Sequence, residues 1–178
     1  MTERLFVAAV PDPAAARRID AVAAALRRDA GLHGTPLGID RYHVTLLFLG
    51  DCTADAAAAR VRTVGERLDV RGHAPFDVSF DRVASFQRRR GARAPVVLLA
   101  GEGLDALRAV HDTLAATLAG VVDDTKPFTP HLTLMYDEGR VDDRAVAPIR
   151  WTVREVALVH SAIGRRRHTV LGRWPLAA

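Results

Sequence analysis

Two segments of the sequence carry the same pair of side chains, and this pair could do acid–base chemistry. His43 is followed two residues later by Thr45, and His131 is followed in the same way by Thr133. Because imidazole titrates near neutral pH, two histidines can hold one neutral base and one protonated acid. A threonine hydroxyl beside each imidazole can donate a hydrogen bond to a phosphoryl oxygen. These groups suit in-line displacement at phosphorus, in which one imidazole activates water and the other protonates the leaving oxygen.

The residues around both His-x-Thr-Leu motifs predict β-strands. Side chains alternate between the two faces of a strand, so each histidine is expected to share a face with its threonine. The residues expected on the opposite, core-facing side of the two strands are Val44, Leu46, Phe48, Leu132, Leu134 and Tyr136. Two polar faces opposed across a cleft would form a paired-histidine site.

Other catalytic chemistries have less support in the sequence. Two histidines and two threonines lack the carboxylates or third histidine that zinc and magnesium sites need. Cys52 is the only cysteine, which excludes an intramolecular disulfide and a thiolate zinc site. The sequence contains no Gly-x-Ser-x-Gly motif, P-loop or Gly-x-Gly-x-x-Gly fingerprint. His111 lies on the apolar face of a predicted helix, where a packed structural role is expected.

Length and composition predict one globular domain without a membrane span. The chain has 178 residues, of which 49% are hydrophobic and 26% charged. No apolar run approaches the roughly 20 residues that cross a bilayer, and the N-terminus runs directly into a strand pattern without a secretory signal. We therefore expect a cytoplasmic protein. The formal charge of +4 weakly favours a polyanionic partner, although arginine-rich turns are most often simply solvated.

Hydrophobic periodicity and turn residues give the predicted elements. Strands are predicted at residues 4–10, 41–50, 76–80 (with an irregular continuation to 86), 95–100, 128–136, 151–160 (with a bulge near Glu155) and 168–174. Helices are predicted at residues 13–30, 54–68 and 104–118, with N-caps at Asp12 and Thr53 for the first two. Loops and turns are predicted at residues 32–40, 87–93, 140–150 and 163–168.

A strand followed by a helix precedes each His-x-Thr strand. The strand and helix at residues 4–30 precede His43, and the strand and helix at residues 95–118 precede His131. Such an internal repeat predicts two lobes related by a pseudo-twofold axis, with the two polar faces meeting at the cleft between them. Since no Pro-, Gly- or Ser-rich linker separates the halves, we expect residues 1–178 to form a single bilobal α+β domain.

With both motifs in view, the sequence resembles the 2H phosphoesterase superfamily, and within it the bacterial RNA 2′,3′-cyclic phosphodiesterase (2′-5′ RNA ligase) group. The segments that carry the resemblance follow the expected order along nearly the whole chain: residues 4–8, 43–50, 128–134 and 171–176. The resemblance implies an α+β bilobal fold, two antiparallel sheets around a central cleft, and helices on the outside.

The resemblance also implies a reaction and the residues that perform it. The expected reaction is hydrolysis of an RNA 2′,3′-cyclic phosphate to a 2′-phosphomonoester, without metal or cofactor. His43 would be the general acid and His131 the general base, while Thr45 and Thr133 would hold the phosphate. Nothing in the residues themselves distinguishes acid from base, so this division rests on the family. The expected partner is an RNA or oligonucleotide with a cyclic phosphate end, and we expect a monomer.

One position departs from the family pattern. Many relatives carry an arginine two residues after the second His-x-Thr-Leu, where this chain has Tyr136. Regular alternation predicts that Tyr136 points away from His131. If relatives use that arginine on the phosphate, another cation must replace it here. The candidate substrate-binding replacements are Arg41, Arg165, Arg166 and Arg167.

Two alternative functions stay open on the sequence alone. One is another reaction of the same site, such as 2′-5′ RNA ligation or cleavage of other cyclic-nucleotide or 2′-5′ linkages. The other is a non-catalytic RNA-binding module that has kept the cleft. The intact histidine and threonine pairs favour an enzyme, since binding alone requires no paired acid and base.

Overall fold

The computed structural model describes residues 3–87, 91–121, 127–162 and 167–178. The strands are β1 (Glu3–Ala9), β2 (Val44–Cys52), β3 (Phe76–Ser85), β4 (Ala94–Glu102), β5 (His131–Asp137), β6 (Arg144–Val153), β7 (Glu155–Ala162) and β8 (His168–Pro175). The helices are α1 (Pro13–Asp29), α2 (Ala54–Arg67) and α3 (Leu104–Thr117), and a short 3₁₀ helix occupies Ile39–Arg41.

The first two helices begin at the predicted caps. The carboxylate of Asp12 accepts hydrogen bonds from the amides of Ala14 and Ala15, both at 2.8 Å, and Pro13 occupies the first helical position. The hydroxyl of Thr53 accepts from the amide of Ala56 at 3.4 Å. Both caps satisfy amides that have no partner within the helix, so the helix starts are encoded locally.

All eight strands form one sheet in the order β6-β3-β4-β5-β2-β1-β7-β8, with antiparallel neighbours. Its two four-stranded halves, β6-β3-β4-β5 and β2-β1-β7-β8, meet where Val44 of β2 pairs with Leu132 of β5. We call this junction the seam. Outward from the seam, each half contains a His-x-Thr strand, the strand that precedes it, and two further strands.

The two halves repeat one unit. In one half β1 and β2 are connected through α1, and in the other β4 and β5 are connected through α3. The predicted α+β bilobal fold is therefore confirmed, with the refinement that the two antiparallel sheets are joined at the seam. The helices cover one face of the sheet, where the core is fully buried at residues such as Ile19, Leu46, Leu98, Leu107 and Leu132.

Two predictions about the region after β5 are wrong. Residues 140–150 are not a loop throughout, because β6 already begins at Arg144. This strand lies at the edge of the sheet, where exposed residues and Pro148 are tolerated. Residues 151–160 are not one bulged strand either. They contain the end of β6 and most of β7, separated at Arg154.

β6 and β7 lie in different halves of the sheet. β6 pairs with β3, and β7 pairs with β1 on the other side of the seam. Buried residues change phase between Val153 and Val156, which the sequence pattern had suggested to be a bulge. The change of phase instead marks the chain crossing from one half to the other.

Within the described residues, no helix combines the length and apolar character needed to cross a bilayer.

Candidate active site

The seam brings the two His-x-Thr motifs together. Val44 and Leu132, the residues that directly follow the two histidines, pair across the seam and are fully buried. Since side chains alternate along a strand, His43 and His131 lie on the opposite face, away from the helices. The two imidazoles are close enough for His131 to contribute to the lowered pKa of His43.

The register at the seam also places the threonines. In an antiparallel pair, the residues on either side of a matched pair also face one another. Continuing the Val44–Leu132 pairing by one residue each way sets His43 opposite Thr133 and Thr45 opposite His131. Each imidazole thus faces the hydroxyl of the other motif. Four groups that can hold and protonate a phosphate are gathered from two distant parts of the chain.

Both imidazoles are anchored in the same way. Nδ1 of His43 lies 2.7 Å from the carbonyl oxygen of Arg41, and Nδ1 of His131 lies 2.7 Å from that of Thr129. A carbonyl oxygen only accepts hydrogen bonds, so Nδ1 must carry the proton and donate it. In the neutral imidazole Nε2 is then the basic nitrogen. Each side chain presents a single nitrogen that can take up and release a proton.

Both His-x-Thr strands contain a β-bulge one residue after the threonine. Val7 pairs with Leu47 and Ala8 with Thr45, so Leu46 is the extra residue in β2. Leu134 is the extra residue in β5, because the pairing of β4 moves from Met135 to Thr133. A bulge reverses the alternation of the side chains that follow it, in β2 as far as a second bulge at Leu49.

The bulges overturn the predicted orientation of two aromatic residues. Phe48 and Tyr136 were expected on the core face, but Phe48 is 37% exposed and Tyr136 47% exposed. Leu47 and Met135, the residues after the bulges, are buried instead. The sequence signal for each bulge was the pair of adjacent apolar residues after the threonine, Leu46-Leu47 and Leu134-Met135. A regular strand cannot bury two adjacent side chains on the same face.

Each bulge leaves a carbonyl that needs a donor from outside the strand. The carbonyl of Leu46 accepts from Nδ1 of His111 in α3 at 2.6 Å, and the carbonyl of Leu134 accepts from the amide of Leu37 at 2.8 Å. The ring of His111 also stacks on Phe128, with 4.3 Å between ring centroids. His111 thus has a packed structural role, as predicted, because its hydrogen bond supports the bulge beside Thr45.

His43 lies in a cluster of three rings. It stacks on Phe6 of β1 at a centroid distance of 4.6 Å, and the ring of His168 in β8 meets it edge-on at 5.1 Å. Burial, with a smaller contribution from the charges of His131 and Arg41, lowers the pKa of His43 to about 4 against the opposing effect of the Arg41 carbonyl. His43 is therefore neutral in the free protein at pH 7.

His131 has more open surroundings. Its ring meets Phe86 edge-on at 4.8 Å. It borders a pocket, here called the His131 pocket, whose lining includes Thr45, Phe48, His111, Phe128, Thr129 and His131 itself. Burial lowers the pKa of His131 as well, and the hydrogen bond to the Thr129 carbonyl partly opposes this. The pocket is wide enough to admit part of a ligand beside the imidazole.

His168 is a site residue that sequence reasoning did not select. Burial, the nearby His43 and the Arg41 guanidinium lower the pKa of His168 to about 4. No motif surrounds His168, and its only sequence signal was its place at the start of the last predicted strand. Its proximity to His43 depends on the position of β8 in the same half of the sheet as β2, which the sequence alone does not reveal.

Of the four candidate substrate-binding arginines, the structure places Arg41 at the site. Its carbonyl accepts the hydrogen bond from Nδ1 of His43 at 2.7 Å, and its positive charge contributes to the lowered pKa of both His43 and His168. Arg167 is exposed on the approach to β8. Arg165 and Arg166 lie outside the described residues. Of the candidates within the described residues, Arg41 is thus the one that adjoins His43.

Within the ranges that the structure describes, no group of three or more His, Cys, Asp or Glu side chains converges in a way that could hold a metal ion. The described donors at the cleft are imidazoles, hydroxyls and guanidinium groups. This set fits an anionic ligand.

Comparisons with known proteins agree with this geometry. The model of the 2′-5′ RNA ligase superfamily matches residues 10–165. The RNA 2′,3′-cyclic phosphodiesterase of Escherichia coli (strain K12) is 31% identical over 151 residues, which cover 80% of each chain.

Solved structures match the fold over nearly the full length. E. coli LigT in its apo form has a TM-score of 0.73 at 26% identity and covers 99% of both chains. The protein TT0787 of Thermus thermophilus has a TM-score of 0.73 at 25% identity, covering 97% of both. A third similar structure is E. coli LigT complexed with 3′-AMP, with a TM-score of 0.70 at 27% identity and 100% coverage of both chains.

Proposed function

The chain belongs to the 2′-5′ RNA ligase superfamily, and from this premise we propose that it hydrolyses RNA 2′,3′-cyclic phosphate ends to 2′-phosphomonoesters. The observation that carries the proposal is the meeting of two His-x-Thr motifs at the seam. Both imidazoles there are anchored through Nδ1 and leave Nε2 for proton transfer. The E. coli relative is an RNA 2′,3′-cyclic phosphodiesterase, and a similar LigT structure contains 3′-AMP.

In the proposed reaction His131 is the general base and His43 the general acid. Nε2 of His131 takes a proton from a water molecule, whose oxygen forms a bond to phosphorus on the side opposite the ribose 3′ oxygen. The bond between phosphorus and the 3′ oxygen breaks, and Nε2 of His43 donates its proton to that oxygen. The phosphate remains on the 2′ oxygen. His131 ends protonated and His43 neutral, and exchange with solvent restores the starting state.

Substrate binding favours the protonated form of His43, which takes its proton from solvent. His43 is neutral in the free protein at pH 7, since burial lowers its pKa to about 4. A phosphate anion placed beside it favours the imidazolium and raises that pKa. Protonation of His43 is therefore coupled to occupation of the site. In the empty cleft His43 stays neutral, and it becomes protonated only when a phosphate is bound beside it.

The phosphate is held by hydroxyls and one arginine. We propose that Thr45 and Thr133 donate hydrogen bonds to its non-bridging oxygens, since the seam register places one hydroxyl opposite each imidazole. Since Tyr136 is uncharged, Arg41 supplies the positive charge beside the phosphate. Its nearness to His43 supports this role. The His131 pocket offers space for the remainder of the nucleotide.

We further propose that the reaction needs no metal ion, that residues 1–178 act as one bilobal domain, and that the protein works in the cytoplasm as a monomer. The donor set at the cleft supports the first point. The pairing of β7 with β1, which brings a late strand back beside the first, supports the second.

One experiment tests the proposed function. The purified protein is incubated in EDTA with an oligonucleotide that ends in a 2′,3′-cyclic phosphate, and the product end is identified. We expect a 2′-phosphate, formed in EDTA as fast as without it, and formation at least about 10²-fold slower with His43→Ala or His131→Ala. A 3′-phosphate product would contradict the assigned acid. Tight binding without any product would instead indicate an RNA-binding module.

The same site would join two RNA ends if a 5′ hydroxyl took the place of water and attacked the 2′,3′-cyclic phosphate, with the bond to the 3′ oxygen breaking as before, and the superfamily takes its name from such a ligase. Incubation of a 2′,3′-cyclic phosphate end with a second oligonucleotide that carries a 5′ hydroxyl tests this second candidate. A product resistant to 3′-5′-specific nucleases would identify a 2′-5′ linkage.

A further inference from the structure

A second pocket lies beside the seam, on the side of Arg41. Its lining consists of Thr35, Pro36, Leu37, Arg41, Arg93 and Tyr136, and we call it the Tyr136 pocket. It shares no lining residue with the His131 pocket. Arg41 connects it to the cleft, because this residue lines the pocket and its carbonyl accepts the hydrogen bond from Nδ1 of His43.

The backbone holds the ring of Tyr136 out of the core. Tyr136 pairs with Pro95 of β4, and the bulge at Leu134 turns its side chain to the face that carries His131 and Thr133. Nearly half of the side chain, 47%, is exposed. The opposite wall is fixed as well, since the amide of Leu37 donates to the carbonyl of Leu134 at 2.8 Å. Backbone hydrogen bonds therefore hold both walls of the pocket in place, and the ring of Tyr136 is accessible between them.

Positive charge surrounds this ring. Arg41 and Arg93 line the pocket, and Arg4 lies near enough for Tyr136 to contribute to its raised pKa, which is due first to the hydrogen bonds with Asp51. Asp51 already engages Arg4 at 2.7 and 2.8 Å. The ion pair of Arg93 with Glu138 is long, at 3.9 Å, and both side chains are largely exposed. Such an exposed ion pair contributes little and is readily exchanged for a phosphate.

An exposed aromatic face flanked by guanidinium groups is the arrangement that binds single-stranded RNA. Bases stack on the ring, and the arginines contact the backbone phosphates. Tyr136 lies three residues along β5 from Thr133, about 10 Å at the rise of a strand. That distance suits a nucleotide next to one whose phosphate is held at the seam.

We infer that the Tyr136 pocket binds the penultimate nucleotide of an RNA end, with its base stacked on Tyr136 and a backbone phosphate contacting Arg93. The inference rests on the proposed function, because it takes the terminal cyclic phosphate to lie between His43 and His131. It makes an oligonucleotide, not a mononucleotide, the preferred substrate. It also gives the tyrosine at this family position a role of its own.

Equilibrium binding tests this inference without requiring turnover. The two probes are a dinucleotide with a 2′-phosphate end and a nucleoside 2′-phosphate, both measured by calorimetry at fixed salt. Tyr136→Ala removes the stacking surface and Arg93→Glu reverses the charge. Arg62→Glu, at an exposed position on α2, is the matched control for a change in total charge.

We expect Tyr136→Ala to weaken dinucleotide binding about tenfold, which is the loss of one stacked base. Binding of the nucleoside 2′-phosphate should change less than about twofold. Equal losses for both probes, or no loss for either, would overturn the inference. Arg93→Glu should weaken dinucleotide binding more than Arg62→Glu does. Equal effects of these two variants would mean that only general electrostatic attraction is involved.

The result is separable from that of the proposed function. If wild-type protein binds the dinucleotide more tightly than the nucleoside, and Tyr136→Ala removes the difference, the pocket is supported whether or not the cyclic phosphate is hydrolysed. If cyclic phosphates are hydrolysed but both probes bind equally, the reaction stands and the pocket assignment fails.

Discussion

The His43 half and the His131 half of the cleft share one backbone plan. Each histidine donates from Nδ1 to the carbonyl of the residue two positions earlier, at the same distance of 2.7 Å. Each strand carries a bulge after its threonine, and each bulge exposes an aromatic ring, Phe48 in one half and Tyr136 in the other. The backbone geometry of the two halves is therefore nearly the same.

The surroundings of the two imidazoles differ. His43 lies against Phe6 and His168 with Arg41 nearby, and its pKa falls to about 4. His131 meets one ring edge-on and borders a pocket. Repeated motifs thus fix the geometry of proton transfer, and the strands packed beside them, which differ in sequence, make the two imidazoles chemically unequal.

The largest expected effect tests what the two halves have in common. His43→Ala and His131→Ala should each lower kcat on a 2′,3′-cyclic phosphate by about 10²- to 10⁴-fold, since each removes one proton-transfer group. Steady-state kinetics gives the loss, and thermal unfolding serves as the control for intact structure. A loss below tenfold in either variant would contradict the paired role.

The ring beside each histidine provides the next comparison. Phe6 is 3% exposed, and Phe6→Ala should lower the free energy of unfolding by about 3 kcal/mol. It should also raise the pKa of His43 towards its ordinary value, because water reaches the imidazole. Phe86→Ala removes a less buried ring beside His131 and should cost less. Denaturant unfolding measures the free energy of unfolding, and NMR titration measures the histidine pKa. Equal effects of the two variants would contradict the proposed difference between the surroundings of His43 and His131.

Arg41 tests which half carries the replacement cation. Arg41→Gln keeps the main-chain carbonyl that anchors His43 and removes the charge, so KM should rise about tenfold, the loss of one charge-assisted hydrogen bond. The pKa values of His43 and His168 should both rise. Arg167→Gln is the matched comparison. An unchanged KM for Arg41→Gln would exclude Arg41 as the cation.

Introducing an arginine at position 136 tests whether the cation can be supplied from the other half of the cleft. If Tyr136 stands where relatives carry the phosphate-binding arginine, Tyr136→Arg in the Arg41→Gln background should recover part of the lost affinity. Recovery is read as a fall in KM towards the wild-type value. A KM that does not fall would show that position 136 lies too far from the phosphate to serve.

The last prediction concerns the dependence of stability on pH. The pKa of His43 is about 4 in the folded state and near 6.5 when unfolded, so the unfolded chain binds more protons between these values. The contribution of the neutral imidazole is fully present above pH 6.5 and is lost as the pH falls through 4. It amounts to about 3 kcal/mol at most. Unfolding at several pH values should show a shallower acid decline for His43→Ala than for wild type.

Local signals predicted much of this molecule. The caps at Asp12 and Thr53, the order of helices and strands as far as β5, and the repeated His-x-Thr unit depend on neighbouring residues, and the structure has these elements. The α+β bilobal fold followed from the repeat. These features are encoded within a few residues or within one repeated unit, where sequence patterns are informative.

Features that depend on strand pairing were not predictable in the same way. The bulges at Leu46 and Leu134 appear only when the neighbouring strands are paired, and they turned Phe48 and Tyr136 outward. The approach of His168 to His43 depends on the position of β8 in the sheet. The boundary at Arg154 separates strands of two different halves, although the local pattern had suggested one strand with a bulge.

The central claim is that His43 protonates the leaving 3′ oxygen while His131 activates water. The most direct test replaces that bridging oxygen with sulfur, which leaves without being protonated. We predict that His43→Ala, inactive on the oxygen substrate, regains most of its activity on the 3′-thio cyclic phosphate, and that His131→Ala does not. Rescue of His131→Ala instead would reverse the assignment, and rescue of neither variant would contradict acid catalysis by this pair.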